Sequence, residues 1–398
     1  VIKHCPTLNL LSACAAALLL SACASPQPEP IVDADNLLIV EAGEPIRIGL
    51  AVARSRPGIE EIGIAQLRGV ALAVQQHGEI AGFPIEITSI DSGCSAPQGL
   101  AAATALADGQ NIAAVIGHTC NSSCMEAVST YEEAGLTLIS PSCGGAELTD
   151  SLAHSESFLR TMYEDSVEGA IAAEFAFYEL GARRAALIDE MTPESETLLD
   201  AFDARFGGLG GETTTVQFTA DSAESMAEMW PRIQELNADV VYAPLLPEDA
   251  SSFIRGRALA LPEVWLVGSR TYQNRWLLDQ AGEQADGIYF GSPFSTAPSL
   301  SALNEAYTRQ YGEPPTTTFH AYAYDATMLV LRAIDSVGHK SGQRFVIDRD
   351  ALRAAIYATS TYPGTTGTIT CTNVGDCSAG KPAIYQIVDG EWTVVYAP

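Results

Sequence analysis

The chain has 398 residues, of which 49 are Asp or Glu and only 21 are Lys or Arg, for a formal net charge of −28. Binding to a phosphate backbone needs a basic face, so this balance excludes a nucleic-acid-binding role. With 47% hydrophobic residues and 33 glycines, the composition is that of a folded, turn-rich protein long enough for two domains, and not that of a disordered chain.

The first element reads as an export signal. Lys3 precedes a short apolar run from Leu8 to Leu20, which ends in Leu20-Ser21-Ala22-Cys23. At roughly 13 residues this run falls short of the ~20 that a spanning helix needs. Leu-Ser-Ala-Cys resembles a bacterial lipobox, which makes residues 1–22 the signal and Cys23 the lipidated N-terminus of an extracytoplasmic protein held to the membrane by its lipid. Residues 23–44 begin Cys-Ala-Ser-Pro-Gln-Pro-Glu-Pro and read as an extended, flexible tether.

From Ile46 onward, short β-rich apolar runs alternate with amphipathic segments. The pattern predicts a strand at Ile46–Ala53, then a helix at Glu60–His77 with Leu67, Val70, Ala71 and Val74 on one face. Next come a strand at Ile85–Asp91, a helix at Pro97–Ala107, a strand at Ile112–Gly117, a helix at Ser122–Ala134 and a strand at Leu136–Ser140. Such a βαβ series gives a parallel sheet covered on both faces. A second series places strands at Arg184–Asp189, Thr213–Phe218, Asp239–Ala243, Glu263–Gly268 and Gly287–Gly291, so the expected fold is α/β with two doubly wound lobes. Helices at Leu300–Gln310, Phe319–Val337 and Arg349–Tyr357 are too few for a third domain, and are expected to return and cover the first.

Export also sets how the nine cysteines are counted. Cys5 and Cys14 would leave with the signal and Cys23 would carry lipid. Cys94, Cys120, Cys124, Cys143, Cys371 and Cys377 remain, an even number in an oxidising compartment, where disulfides are the default. The stretch VIGHTCNSSCMEA, residues 115–127, permits a catalytic cysteine, a metal site, a structural staple or a binding pocket. The Cys120-x-x-x-Cys124 spacing needs further metal ligands, and the histidines are scattered. A catalytic cysteine needs a free thiol and a partner, whereas His118 reads as a loop or structural residue. Nucleotide-loop, dinucleotide and nucleophile-elbow signatures are missing, so neither a cofactor nor an enzymatic activity is expected. In open α/β sheets ligands sit beyond the carboxyl ends of the strands, where this stretch lies. Asn121 and Ser122 are placed to cap the helix that follows, whose first-turn N–H groups offer an anion site suited to a carboxylate.

The run VIGHTCNSSCMEAVSTYEEAGLTLISPSCGGAELTD, 115–150, resembles the branched-chain amino acid binding proteins, a group of type I periplasmic binding proteins that serve ABC importers. RIGLAVA (47–53), GFPIEI after His77, YEDSVEGAIAAEF (163–175) and AYAYDATMLVLRAI (321–334) are similar to the same family. The resemblance implies two lobes joined by a three-strand hinge, at 45–162 with 292–382 and 163–291 with 383–398, closing on a solute. It implies a disulfide between Cys94 and Cys120. The positions of Cys124, in a first helical turn, and Cys143, past the next strand, suggest a second on the same rim. Cys371 and Cys377 would close a small loop.

The resemblance also implies where this chain departs from its family. Asn121 stands at the serine that holds a ligand carboxylate, Gly144 at a threonine, Pro193 and Leu245 at aromatic positions, and Arg270 at the acid that pairs with a ligand ammonium. Ser122, Ser142, Cys143, Glu190 and Phe319 complete the expected ligand contacts. An Arg270 facing the cleft would favour a ligand with a second acid or an amide; otherwise it turns to solvent or pairs with Glu190. The expected function is a solute-binding lipoprotein presenting a small carboxylate-bearing solute, an amino acid or related acid, to the permease and ATPase subunits of an importer. The alternative is the same trap docking onto a receptor as a sensor.

Overall fold

The structure, a computed structural model, describes residues 36–109, 111–218 and 223–397. The export signal, Cys23 and most of the tether lie outside the described residues. The tether expected up to residue 44 ends earlier, because Leu37–Val40 is a strand paired antiparallel with Arg344–Asp348. Leu38 and Val40 alternate inward into the core, and burying them holds the segment down.

Among the described residues two large sheets organise the fold. The first is all parallel, in the order Ile85–Asp91, Ile46–Val52, Ile112–Gly117, Leu138–Ser140 and Phe158–Arg160. The strand Ile46–Val52 and its neighbour Ile112–Gly117 are buried almost throughout, as strands covered on both faces must be. The second sheet runs Glu391–Tyr396, Lys381–Val388, Tyr289–Phe294, Trp265–Gly268, Val240–Tyr242, Arg184–Asp189 and Glu212–Gln217. Its last five strands are parallel, and the first two form an antiparallel hairpin on one edge.

The late helices do return to the first sheet. Val330, Leu331 and Ile334 of the helix Phe319–Val337 share one core with Ile46, Ile48 and Ile116. This helix lies close against Ile59–His77; a Cβ built on Gly69 would overlap the His320 carbonyl, so only glycine permits that approach. The chain therefore passes between the two sheets after Arg160, after Phe294 and before Lys381. The pairing of Tyr289–Phe294 with Lys381–Val388 runs on to Phe294 and Lys381, across the expected divisions near 292 and 382.

Three disulfides are present among the described residues: Cys94–Cys120, Cys124–Cys143 and Cys371–Cys377. The first two pin loops at the carboxyl ends of the first sheet. The third closes a loop over its edge strand, where Arg160 N–H donates to the Gly375 carbonyl at 2.9 Å and Cys377 N–H to the Arg160 carbonyl at 2.8 Å. The fully buried Arg160 guanidinium is held there by Glu164 at 3.2 Å and Asp376 at 3.1 Å.

Candidate functional site

The strand Ile112–Gly117 delivers the chain to the gap between the two sheets, and the helix Asn121–Glu133 starts there. Its N-cap is Cys120, without a side-chain capping bond, so Asn121 and Ser122 are not the caps expected of them. Asn121 is the first helical residue, and its buried amide bridges instead. Its Nδ2 donates to Asp165 Oδ2 at 2.9 Å and to the Pro193 carbonyl at 3.2 Å, while its Oδ1 accepts from Gly144 and Gly145 N–H at 2.9 and 3.2 Å. With both ends of the amide engaged, Asn121 joins elements instead of offering a free group.

Ser122 meets a carboxylate of the chain itself. Its N–H and its hydroxyl both donate to one oxygen of Glu194, at 3.1 and 2.6 Å. Glu194 lies in the first turn of the helix Pro193–Gly208, which packs on the second sheet, so this carboxylate crosses from one sheet's layer to the other's. The loops around Ser122 are fixed by a small polar chain. Gln66 donates to the Ser142 hydroxyl at 2.7 Å, Thr119 donates to Gln66 Oε1 at 2.7 Å, and Ser142 donates to the Thr119 carbonyl at 2.7 Å. His118 is fully buried with Nε2 3.0 Å from the Tyr131 hydroxyl, and burial pushes its pKa down to about 3, which suits a neutral structural residue.

Between the sheets lies a cavity of about 30 Å³, lined among others by Ile59, Thr119, Asn121, Glu194, Arg270 and Phe319. Ser142 also lines it. Outside it opens a bowl of about 410 Å³, whose wall includes Arg56, Ser122, Glu190, Thr192, Glu194 and Leu246. The expected contacts thus divide. Asn121, Ser142, Arg270 and Phe319 reach the inner cavity, and Ser122 and Glu190 the bowl. Cys143 is fully buried in its disulfide, and Gly144 lies behind Asn121. Leu245 is corrected as well: it is fully buried, its carbonyl accepting from Thr271, while its neighbours Pro244 and Leu246 face the cavity. The Leu245 N–H donates to the Ala243 carbonyl at 2.9 Å, a tight turn at Pro244 that leaves Leu245 inside and its neighbours on the lining.

Arg270 lines the cavity but is not free to meet a solute acid. Its guanidinium is 2.7 Å from Asp165 Oδ1 and 3.1 Å from Glu168 Oε2, and its own N–H donates to Glu168 at 3.0 Å. Its partners are therefore Asp165 and Glu168, not Glu190. Burial opposes its charge, yet the two carboxylates hold its pKa above the ordinary value; burial raises the Glu168 pKa, partly offset by Arg270. Both acids belong to the helix Asp165–Tyr178, three residues apart and so on one face. That spacing within YEDSVEG was visible in the sequence; their partner was not. Glu190 accepts from Leu246 N–H at 3.2 Å and from the Thr192 hydroxyl at 3.0 Å, and burial pushes its pKa up to about 7. Glu194 and Cys94 with Cys120 lie close enough to suggest a metal cluster, but the two sulfurs are bonded to each other and provide no thiolate.

A periplasmic binding protein family profile matches residues 45–386. The chain belongs to that family. Its group is that of the branched-chain amino acid binding proteins, type I members whose two α/β bodies match the sheets described above. A Leu/Ile/Val-binding protein of Escherichia coli is 26% identical over 278 residues, 68% of this chain and 74% of the relative. An amino acid binding protein of Pseudomonas aeruginosa is 25% identical, covering 64% of this chain and 70% of the relative. Among solved structures, a leucine-binding protein of Thermotoga maritima superposes with a TM-score of 0.78 at 22% identity, covering 89% of this chain and 99% of the other. A solute-binding protein from Rhodopseudomonas palustris, in complex with benzoate, has a TM-score of 0.72 at 20% identity and covers 88% and 96%. This periplasmic binding protein is thus a solute-binding protein acting outside the cytoplasm, and not an enzyme.

Proposed function

We propose that this chain is the solute-binding component of an ABC importer. It takes a small carboxylate-bearing solute, an amino acid or a related acid, between one lobe built on the first sheet and one built on the second. The observation that carries this reading is the pair of donors on Ser122: one N–H and one hydroxyl, at a helix N-terminus, converging on a carboxylate oxygen at 3.1 and 2.6 Å. A helix N-terminus favours an anion, and two convergent donors give it direction. The relatives support the substrate class, since they are named for amino acids and one structure holds benzoate, each of which carries a carboxylate group. Closing the lobes on such a solute presents one defined shape to a permease and its ATPase.

Mass spectrometry of the solute that co-purifies, followed by calorimetric titration with leucine, isoleucine, valine, benzoate and succinate, tests this reading. A carboxylate is expected to bind and its neutral amide to bind at least tenfold more weakly. Equal binding of acid and amide overturns the reading. The membrane attachment is a separate part of it, carried by the Leu-Ser-Ala-Cys sequence at 20–23. Cys23→Ala is expected to release the protein from the membrane fraction with solute binding unchanged, and retention of the variant in membranes would remove the lipid anchor.

A further inference from the structure

We infer that Glu194 is a built-in stand-in for the solute carboxylate: it holds the lobes closed in the solute-free protein, and a solute enters by displacing it. This rests on the reading of Ser122 as the carboxylate subsite.

Three independent observations converge on Glu194. Both Ser122 donors are spent on a single oxygen of this residue. The residue sits where two helix N-termini, Asn121–Glu133 and Pro193–Gly208, face each other, so both dipoles favour a negative group between them. Finally, Glu194 and Leu246 line both the bowl of about 410 Å³ and the inner cavity of about 30 Å³, which makes them the partition between the two. Small-molecule sites typically measure ~300–1,000 Å³. The inner space holds little more than a water or two by the same measure, so a solute can reach it only if the partition moves.

The common role of an acid in a first helical turn is to serve its own helix dipole. The hydrogen bonds of Glu194, among the described residues, go instead to the opposite helix. Other contacts join the two layers beside it: Asn121 Nδ2 to the Pro193 carbonyl at 3.2 Å, Ala146 N–H to Thr197 Oγ1 at 3.3 Å and Arg56 to Glu248 at 3.3 Å. Glu61 accepts from the N–H groups of Arg275 and Trp276 at 3.0 and 2.8 Å. A conformation closed on its own side chain must be given up before solute binds, and apparent affinity falls by the fraction of molecules so closed. Glu194 is in this way a specificity-determining residue: only a solute whose carboxylate outcompetes a tethered glutamate gains entry.

The test uses the full chain freed of solute by unfolding and refolding, as wild type, Glu194→Gln, Glu194→Ala and, as a control whose only ion pair among the described residues lies on the exposed face of one helix, Glu305→Ala. Small-angle scattering without solute is expected to show a larger radius of gyration for Glu194→Ala than for wild type, an intermediate value for Glu194→Gln, and no change for Glu305→Ala. Calorimetry with the carboxylate that binds wild type, from leucine, isoleucine, valine, benzoate and succinate, is expected to give about tenfold tighter binding to Glu194→Ala. Thermal melting verifies that each variant is folded. Wild-type scattering from solute-free Glu194→Ala overturns the inference, as does weaker or unchanged carboxylate binding. Should none of the five carboxylates bind any variant, the carboxylate reading fails, and scattering alone still decides whether Glu194 closes the lobes.

Discussion

Asp165 fills the space that a side chain on residue 144 would occupy: a Cβ built on Gly144 would overlap Asp165 Oδ1. The same oxygen is 2.7 Å from the Arg270 guanidinium. Gly144 stands where the family resemblance implies a threonine, and Arg270 where it implies an acid. The two departures meet on one carboxylate, so they form a single physical unit.

Gly144→Thr alone therefore overpacks a closed site. It should destabilise the protein by about 1–3 kcal/mol in urea denaturation. Because the clash is with Asp165, combining it with Asp165→Ala should cost less than the sum of the two single changes, by at least about 0.5 kcal/mol. Strict additivity would show that residue 144 is not limited by Asp165.

Arg270→Ala should act on stability before it acts on binding. It strips the counter-charge from two fully buried acids, and breaking such a pair costs about 3–5 kcal/mol. Neutralising the acids together with the arginine, as Arg270→Met with Asp165→Asn and Glu168→Gln, should recover most of that loss. A wild-type denaturation midpoint for Arg270→Ala would contradict the buried pairing.

Glu190 gives a pH dependence whose sign follows from burial. Burial raises its pKa from the ordinary 4.5 to about 7, so the folded state holds this proton more tightly than the unfolded chain does. The stability tied to this proton is fully present below about pH 4.5 and lost as pH rises to about 7. Glu190→Gln removes the titration. Its melting temperature relative to wild type should rise across that window and level off above it. A constant difference between pH 4.5 and 8 would contradict a buried, titrating Glu190.

Thiol titration of the unfolded, unreduced protein should find none of Cys94, Cys120, Cys124, Cys143, Cys371 and Cys377 free. The two outer bridges should differ in worth. Cys94–Cys120 spans 26 positions and Cys371–Cys377 spans 6. Loop-closure entropy then gives about 3.5 against about 2 kcal/mol. Denaturation of the Cys→Ala pair variants checks that order.

The sequence alone determined the local elements and the class of molecule. The strands Ile85–Asp91, Ile112–Gly117 and Arg184–Asp189 and the helix Phe319–Val337 begin and end where periodicity placed them. Apolar runs, turn residues and helical spacing are short-range properties, and parallel strands buried on both faces write them strongly. The strand Leu37–Val40 escaped notice because its partner, Arg344–Asp348, lies about 300 residues onward. The site escaped for the same reason. Glu194 meets Ser122 across 72 positions, and Glu168 meets Arg270 across 102. Sequence could mark each as a charged or polar residue at an element's start. Which acid reaches which donor depends on three passages of the chain between the sheets, and charge pairing at about 3 Å is decided by that approach alone.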